Sequence, residues 1–173
     1  NLKRNTVAME RTVEYRGENV STWSTDVRFT IANMTAEFGG LNGIFAADGV
    51  VADWIARRPS DGIHQGATYL RADDDAPYAD RYRIDLHRLG PLVAKPFSPD
   101  NVVSVEEELG KKLDGVFVGA CTTTEEELVL GGLVLEAALA AGKAPVANQR
   151  RIVVPGDLSI AAKLGETGLA AVY

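Results

Sequence analysis

Residues 115–119, Gly-Val-Phe-Val-Gly, form a short unbroken apolar run, the composition of a parallel strand covered on both faces. Thr124-Glu125-Glu126-Glu127 comes next. A hydroxyl with a glutamate three residues later is a capping box, so a helix is expected from Glu125 to about Ala141, where Gly142 stops it. Arg151-Ile152-Val153-Val154 is a second such run and Pro155-Gly156-Asp157 turns the chain. Residues 158–164 then read as a short helix ended by Gly165, and residues 169–173 as a third strand. A parallel neighbour needs a crossover, and crossovers are right-handed, so this order predicts an open parallel sheet. The expected fold class is α/β: two small α/β/α units with parallel-type sheets.

The first half supports the other unit. Residues 6–15, rich in Val, Thr and alternating charge, predict a strand that ends at Arg16-Gly17. Ser24 or Thr25 caps the next element. Val27, Ile31, Met34 and Phe38 recur at spacings of 4, 3 and 4, a helical period over residues 26–38, and Gly39-Gly40 is its stop. Gly43-Ile44-Phe45 reads as a short buried strand, and Asp48 opens a second helix that carries Val50, Val51, Trp54 and Ile55 to about Arg58. Residues 59–80 read as a long surface connection, and the alternation of Tyr82, Ile84 and Leu86 with charged residues predicts a half-buried strand. Gly90-Pro91, Pro96 and Ser98-Pro99-Asp100-Asn101 then give the densest proline region, placing a boundary near residue 90 between units 1–90 and 91–173. The chain starts at Asn1 and stops after what reads as an unfinished strand, so a piece of a longer polypeptide is expected.

Composition excludes several classes. Lys and Arg number 18 against 24 Asp and Glu, a net charge of −6 with no basic stripe, which disfavours a nucleic-acid partner. No apolar run approaches the roughly 18–20 residues that span a bilayer, and residues 1–20 lack a signal-type apolar core, so no membrane partner is expected. Gly110-Lys111-Lys112 lacks the preceding glycine of a phosphate-binding loop, and no Gly-x-Gly-x-x-Gly follows a strand. The Asp73–Asp74–Asp75 cluster lacks the pattern of a calcium loop, and His64 and His87 have no partner spacing. One cysteine, Cys121, precludes an intrachain disulfide, and metal chemistry there must draw on groups outside this chain.

Two places are left for chemistry. Cys121 lies just beyond the carboxyl end of the 115–118 strand and just before the helix that Thr124 caps, where open α/β sheets gather functional groups. Nearby backbone N–H groups and the positive end of a helix dipole favour thiolate there, making Cys121 a ligand or nucleophile; the alternative is a small packed cysteine in a loop. Asn33 and Glu37, spaced i, i+4, share one face of the first helix beside its apolar stripe. Glu37 is then either a solvated surface group or a positioned acid/base.

Five segments together resemble a known family. Residues 30–40 (Thr-Ile-Ala-Asn-Met-Thr-Ala-Glu-Phe-Gly-Gly), Ala47-Asp48, residues 98–102 (Ser-Pro-Asp-Asn-Val), Gly119-Ala120-Cys121-Thr122 and Val153-Val154-Pro155-Gly156 are similar, in order and spacing, to the large-subunit catalytic core of the aconitase family. Arg28-Phe29-Thr30 and residues 91–96 (Pro-Leu-Val-Ala-Lys-Pro) resemble the branch of 3-isopropylmalate dehydratase and homoaconitase. The resemblance implies dehydration and rehydration of a hydroxy di- or tricarboxylic acid on a [4Fe–4S] cluster held by three cysteines. It implies that Cys121 is the first of these, that Glu37 hydrogen-bonds the iron-bound water or hydroxyl, and that Asn33 contacts the cluster region on the same rigid helix. It also implies a small carboxylic-acid substrate, the remainder of a large subunit and a small subunit or swivelling domain as partners, and a cytoplasmic or mitochondrial-matrix location.

The chain also departs from that pattern. The family's usual Gly-Ser-Cys-Thr-Asn is here Gly119-Ala120-Cys121-Thr122-Thr123, without a hydroxyl and an amide beside the cluster, and the family's following Cys-x-x-Cys pair is absent. One cysteine cannot hold four irons, so these 173 residues alone are expected to bind no cluster and to be inactive. A non-catalytic scaffold keeping the fold without a cluster is therefore the second reading, and a thiol enzyme using Cys121 as nucleophile the third.

Overall fold

Short β-branched and aromatic segments pair in parallel, and helices cross between them. In the computed structural model, which describes residues 8–58, 71–147 and 149–173, β1 (Thr12–Tyr15) and β2 (Asn42–Phe45) run parallel, with Thr12 opposite Asn42 and Tyr15 opposite Phe45. The crossover between them is α1 (Thr25–Met34), capped by Ser24, whose hydroxyl accepts the Val27 N–H. The helix tightens into a 3₁₀ turn over Thr35–Phe38 before the glycine pair stops it. Asp48 caps α2 (Gly49–Ala56) by accepting the Val51 N–H at 3.2 Å. Further on, β3 (Leu92–Ala94) and β4 (Val102–Ser104) pair antiparallel.

A parallel pair forms again in the second half. β5 (Gly115–Gly119) and β6 (Arg150–Val154) pair from Gly115–Arg150 to Gly119–Val154. Between them α3 (Glu125–Ala140) starts at the expected capping box, with both reciprocal hydrogen bonds of Thr124 and Glu127 formed. α4 (Leu158–Glu166) comes after β6, capped by Asp157. Leu128, Ile160 and Leu164 form the core of this part, and Val118 and Val153 pack on it from one face of the sheet. Phe117 and Ile152 alternate to the other face, where Phe117 is 62% exposed. Within the second half, cover on both faces of β5 is therefore not met, because both helices of the unit serve the Val118 and Val153 face.

The α/β class holds, and four local expectations change. The chain separates into the compact units Asn1–Gly110 and Lys111–Tyr173, later than the boundary expected near residue 90. The prolines that suggested a linker instead punctuate the β3–β4 hairpin, in which the Asn101 amide donates to the Pro96 carbonyl at 3.0 Å. The hairpin is antiparallel, so the first unit is not purely parallel. Tyr82, Ile84 and Leu86 form no strand: they are exposed, and Asp85 takes the His87 N–H at 3.1 Å to start a 3₁₀ turn over Leu86–Arg88. Residues 169–173 form no third strand either. Gly168 adopts a left-handed conformation, accepts the Ala171 N–H at 3.1 Å and starts the 3₁₀ turn Leu169–Val172, since two alanines give a strand little to pack. His64 lies outside the described residues.

Candidate functional site

Thr35 decides how the first candidate pair is presented. Its side chain is fully buried, its hydroxyl donates to the Ile31 carbonyl at 3.3 Å, and it shares a 2.8 Å hydrogen bond with the Tyr15 hydroxyl on β1. Burial pushes the Tyr15 phenol up, so it stays protonated and able to donate. The helix end sits directly on Gly43 of β2: a Cβ there would meet Thr35 Oγ1 and lie 2.8 Å from Ala32 Cα. Asn33, near the end of α1, and Glu37, in the 3₁₀ turn that follows, flank this buried residue two positions before and after it, and both are exposed. The buried face of α1 is polar, made of Thr25, Arg28 and Thr35, whereas Met34 of the expected apolar stripe is 51% exposed.

Arg28 explains that polar face. Only 3% exposed, its guanidinium reaches the Asp48 carboxylate in a fork of 2.9 and 2.8 Å and donates a third bond of 2.9 Å to the Val20 carbonyl. Arg28 holds the Asp48 carboxyl below the usual carboxylate range against the opposing effect of burial. A second polar knot closes on β1, where Glu14 accepts from the Tyr78 hydroxyl and from Arg16 Nε. Burial alone would raise Glu14, but these two bonds outweigh it and hold its carboxyl low, while Tyr78 is raised by the same bond. Sequence reading had Asp48 only as the start of the second helix and missed both knots; the signal for the first was a lone arginine within an apolar helical period.

Cys121 lies in the turn after β5, exposed, at the carboxyl ends of the two parallel strands of the second unit. Thr123 builds that turn. Its buried hydroxyl donates to the Ala120 carbonyl at 3.1 Å and accepts the Ala120 N–H, and its own N–H donates to the same carbonyl at 3.3 Å. Its carbonyl in turn accepts the Gly156 N–H at 2.9 Å, which ties the Pro155-Gly156 turn after β6 against the cysteine turn. Any side chain at Gly156 would place a Cβ 2.7 Å from that carbonyl. A cavity lined by Val118, Leu135, Leu139, Val153 and Tyr173 lies between sheet and α3, and neither it nor the groove along Phe117 and Ile152 includes residues 120–124.

Asn33 and Glu37 are thus both exposed at one anchored helix end in the first unit, and Cys121 belongs to the second. Among the described residues no three His, Cys, Asp or Glu side chains come together in a way that could hold a metal ion. Asp73, Asp74 and His87 are exposed, and no helix among the described residues is long and apolar enough to cross a membrane.

Comparison with known proteins agrees with these segments. Residues 1–114 match the Aconitase family (aconitate hydratase). The chain is 46% identical over 172 residues to the 3-isopropylmalate dehydratase large subunit gloJ of Glarea lozoyensis, covering 99% of this chain and 19% of that protein. It is 45% identical to the aconitase htyD of Aspergillus rugulosus, again over 99% of the chain and 20% of the relative. Against the 3-isopropylmalate dehydratase large subunit of Aquifex aeolicus it is 34% identical, covering 96% of this chain and 38% of the relative. The chain thus spans about a fifth of the fungal relatives and over a third of the bacterial one.

Proposed function

The chain belongs to the aconitase family, and from that premise we propose that it is a catalytic-core segment of an aconitase-type hydro-lyase. The reaction is removal and return of water on a hydroxy di- or tricarboxylic acid, in the manner of 3-isopropylmalate dehydratase, homoaconitase or aconitase. The names of the similar proteins and the branch-like residues 28–30 and 91–96 support this reading. A large subunit works with a further subunit or domain, so we assign this segment a small subunit or swivelling domain as partner.

A [4Fe–4S] cluster, if bound, supplies the Lewis acid that stabilises the departing hydroxide. These residues by themselves do not fit one, since Cys121 is the only thiol in the sequence and no three His, Cys, Asp or Glu side chains come together to hold a metal among the described residues. We therefore assign Cys121 one ligand position in a set completed by cysteines outside residues 1–173.

The chain's own contribution is Glu37. Loss of hydroxide from carbon is slow unless a proton reaches the leaving oxygen, and return of water needs a base to take it back. Glu37 Oε, held outward by the Thr35 anchor, hydrogen-bonds that oxygen and serves as acid/base or water-positioning group, while the Asn33 amide orients the same region. The observation that carries this is the anchoring itself: a fully buried threonine, tied to Tyr15 and seated on Gly43, backs an exposed carboxylate. Glu37→Gln in the full-length enzyme is expected to lower kcat by about 10²-fold or more while bound iron stays unchanged. Turnover equal to wild type would sink the role.

The scaffold reading keeps one supporting observation. The Thr123 hydroxyl turns inward onto Ala120 and is not offered to the surroundings of Cys121. Absence of any dehydratase activity in the full-length protein would favour it.

A further inference from the structure

We propose that Arg28 and Asp48 are positioning residues for Asn33 and Glu37, a role that rests on the function proposed above. The ion pair is an odd investment for stability alone: Arg28 is buried and Asp48 33% exposed, so desolvation of the arginine offsets much of their attraction, and apolar side chains of similar volume often hold such a buried place as well. What a guanidinium–carboxylate fork adds is orientation, since two parallel bonds fix both planes. Here a third bond to the Val20 carbonyl extends the clamp, so Arg28 joins α1, the residues before it and the first turn of α2.

Helical geometry carries that constraint to Glu37. Arg28 and Thr35 are seven residues apart, two turns of helix within about 20° of the same azimuth. Both are buried, at 3% and 0% exposure, so two pins on one side set the rotation of α1 about its axis. Asn33 and Glu37 are exposed two residues before and two after the second pin, Glu37 in the 3₁₀ turn that begins there. A rotation of roughly 20° moves a side-chain tip at ~6 Å radius by about 2 Å, and misplacement of about 1 Å can cost ~10²-fold in rate. Thr35 alone fixes one point, and the Arg28 clamp fixes the line.

Asp48→Asn is the informative variant, because asparagine still caps α2 through its amide oxygen while the charge of the fork is lost. In the full-length enzyme, it is expected to lower kcat about tenfold or more with KM changed by less than about twofold. Amide hydrogen exchange across residues 30–38 should quicken. In a Glu37→Gln background the same substitution should cost clearly less kcat than in wild type, since much of its effect passes through that carboxylate. Arg28→Lys, which keeps the charge and loses the fork, should give the same pattern and serves if the first variant folds poorly. Unchanged kcat and exchange, or an equal Asp48→Asn penalty with and without Glu37, would overturn the positioning role. Wild-type turnover of Glu37→Gln alone would instead overturn the catalytic reading beneath it.

Discussion

Asp48 does two things with one carboxylate: it caps a helix and it neutralises a buried arginine. Its folded pKa lies below the ordinary aspartate value near ~3.9, chiefly through the Arg28 hydrogen bonds. The stabilisation is therefore fully present above the unfolded value and is lost as pH falls through the lower folded value. Both tryptophans of these residues, Trp23 and Trp54, lie in the first unit, so their fluorescence in the 173-residue chain reports on the surroundings of that unit. The difference in denaturation midpoint between wild type and Asp48→Asn should hold constant from about pH 5 to 7 and shrink below about pH 4. A difference that persists undiminished to the acid limit would show that the ion pair is not its source. Thr123 makes the matching point in the second unit, where one buried hydroxyl shapes the loop that carries Cys121.

Elements with a local rule were legible and elements set by long-range partners were not. The Thr124–Glu127 capping box and the β5–β6 runs arise from side-chain chemistry within a few residues, and they form as expected. The buried face of α1 could not be read from periodicity, because Arg28 and Thr35 are buried by partners on α2 and β1 that lie far along the chain. The β3–β4 hairpin was hidden by its prolines, and the residues 82–86 alternation had no neighbouring strand to make it one. For the candidate site, sequence placed Asn33 and Glu37 on one helix but not the anchor behind them. The cap itself is testable: Thr124→Ala removes the acceptor for the Glu127 N–H and should cost about 1 kcal/mol. Faster amide exchange across residues 125–128 is the expected signature, and exchange equal to wild type would mean that the box adds no stability.

At the scale of the whole molecule, the two units each present a parallel strand pair with one candidate at or near it, Glu37 in one and Cys121 in the other. The second unit also leaves apolar surface uncovered: Phe117 on the sheet and Val134 on α3 are 62% and 68% exposed. α3 also exposes Leu130 and Leu133, apolar surface of the kind that larger assemblies cover, which agrees with a chain that spans 19–38% of its relatives. The central claim is that this segment serves an aconitase-type centre to which Cys121 donates one thiolate. Its most direct measurement is iron, acid-labile sulfide and visible absorption after anaerobic reconstitution of the full-length protein, wild type against Cys121→Ser. Wild type should hold a four-iron cluster and dehydrate its hydroxy acid, and Cys121→Ser should lose both. A full cluster with wild-type turnover in Cys121→Ser would contradict the account.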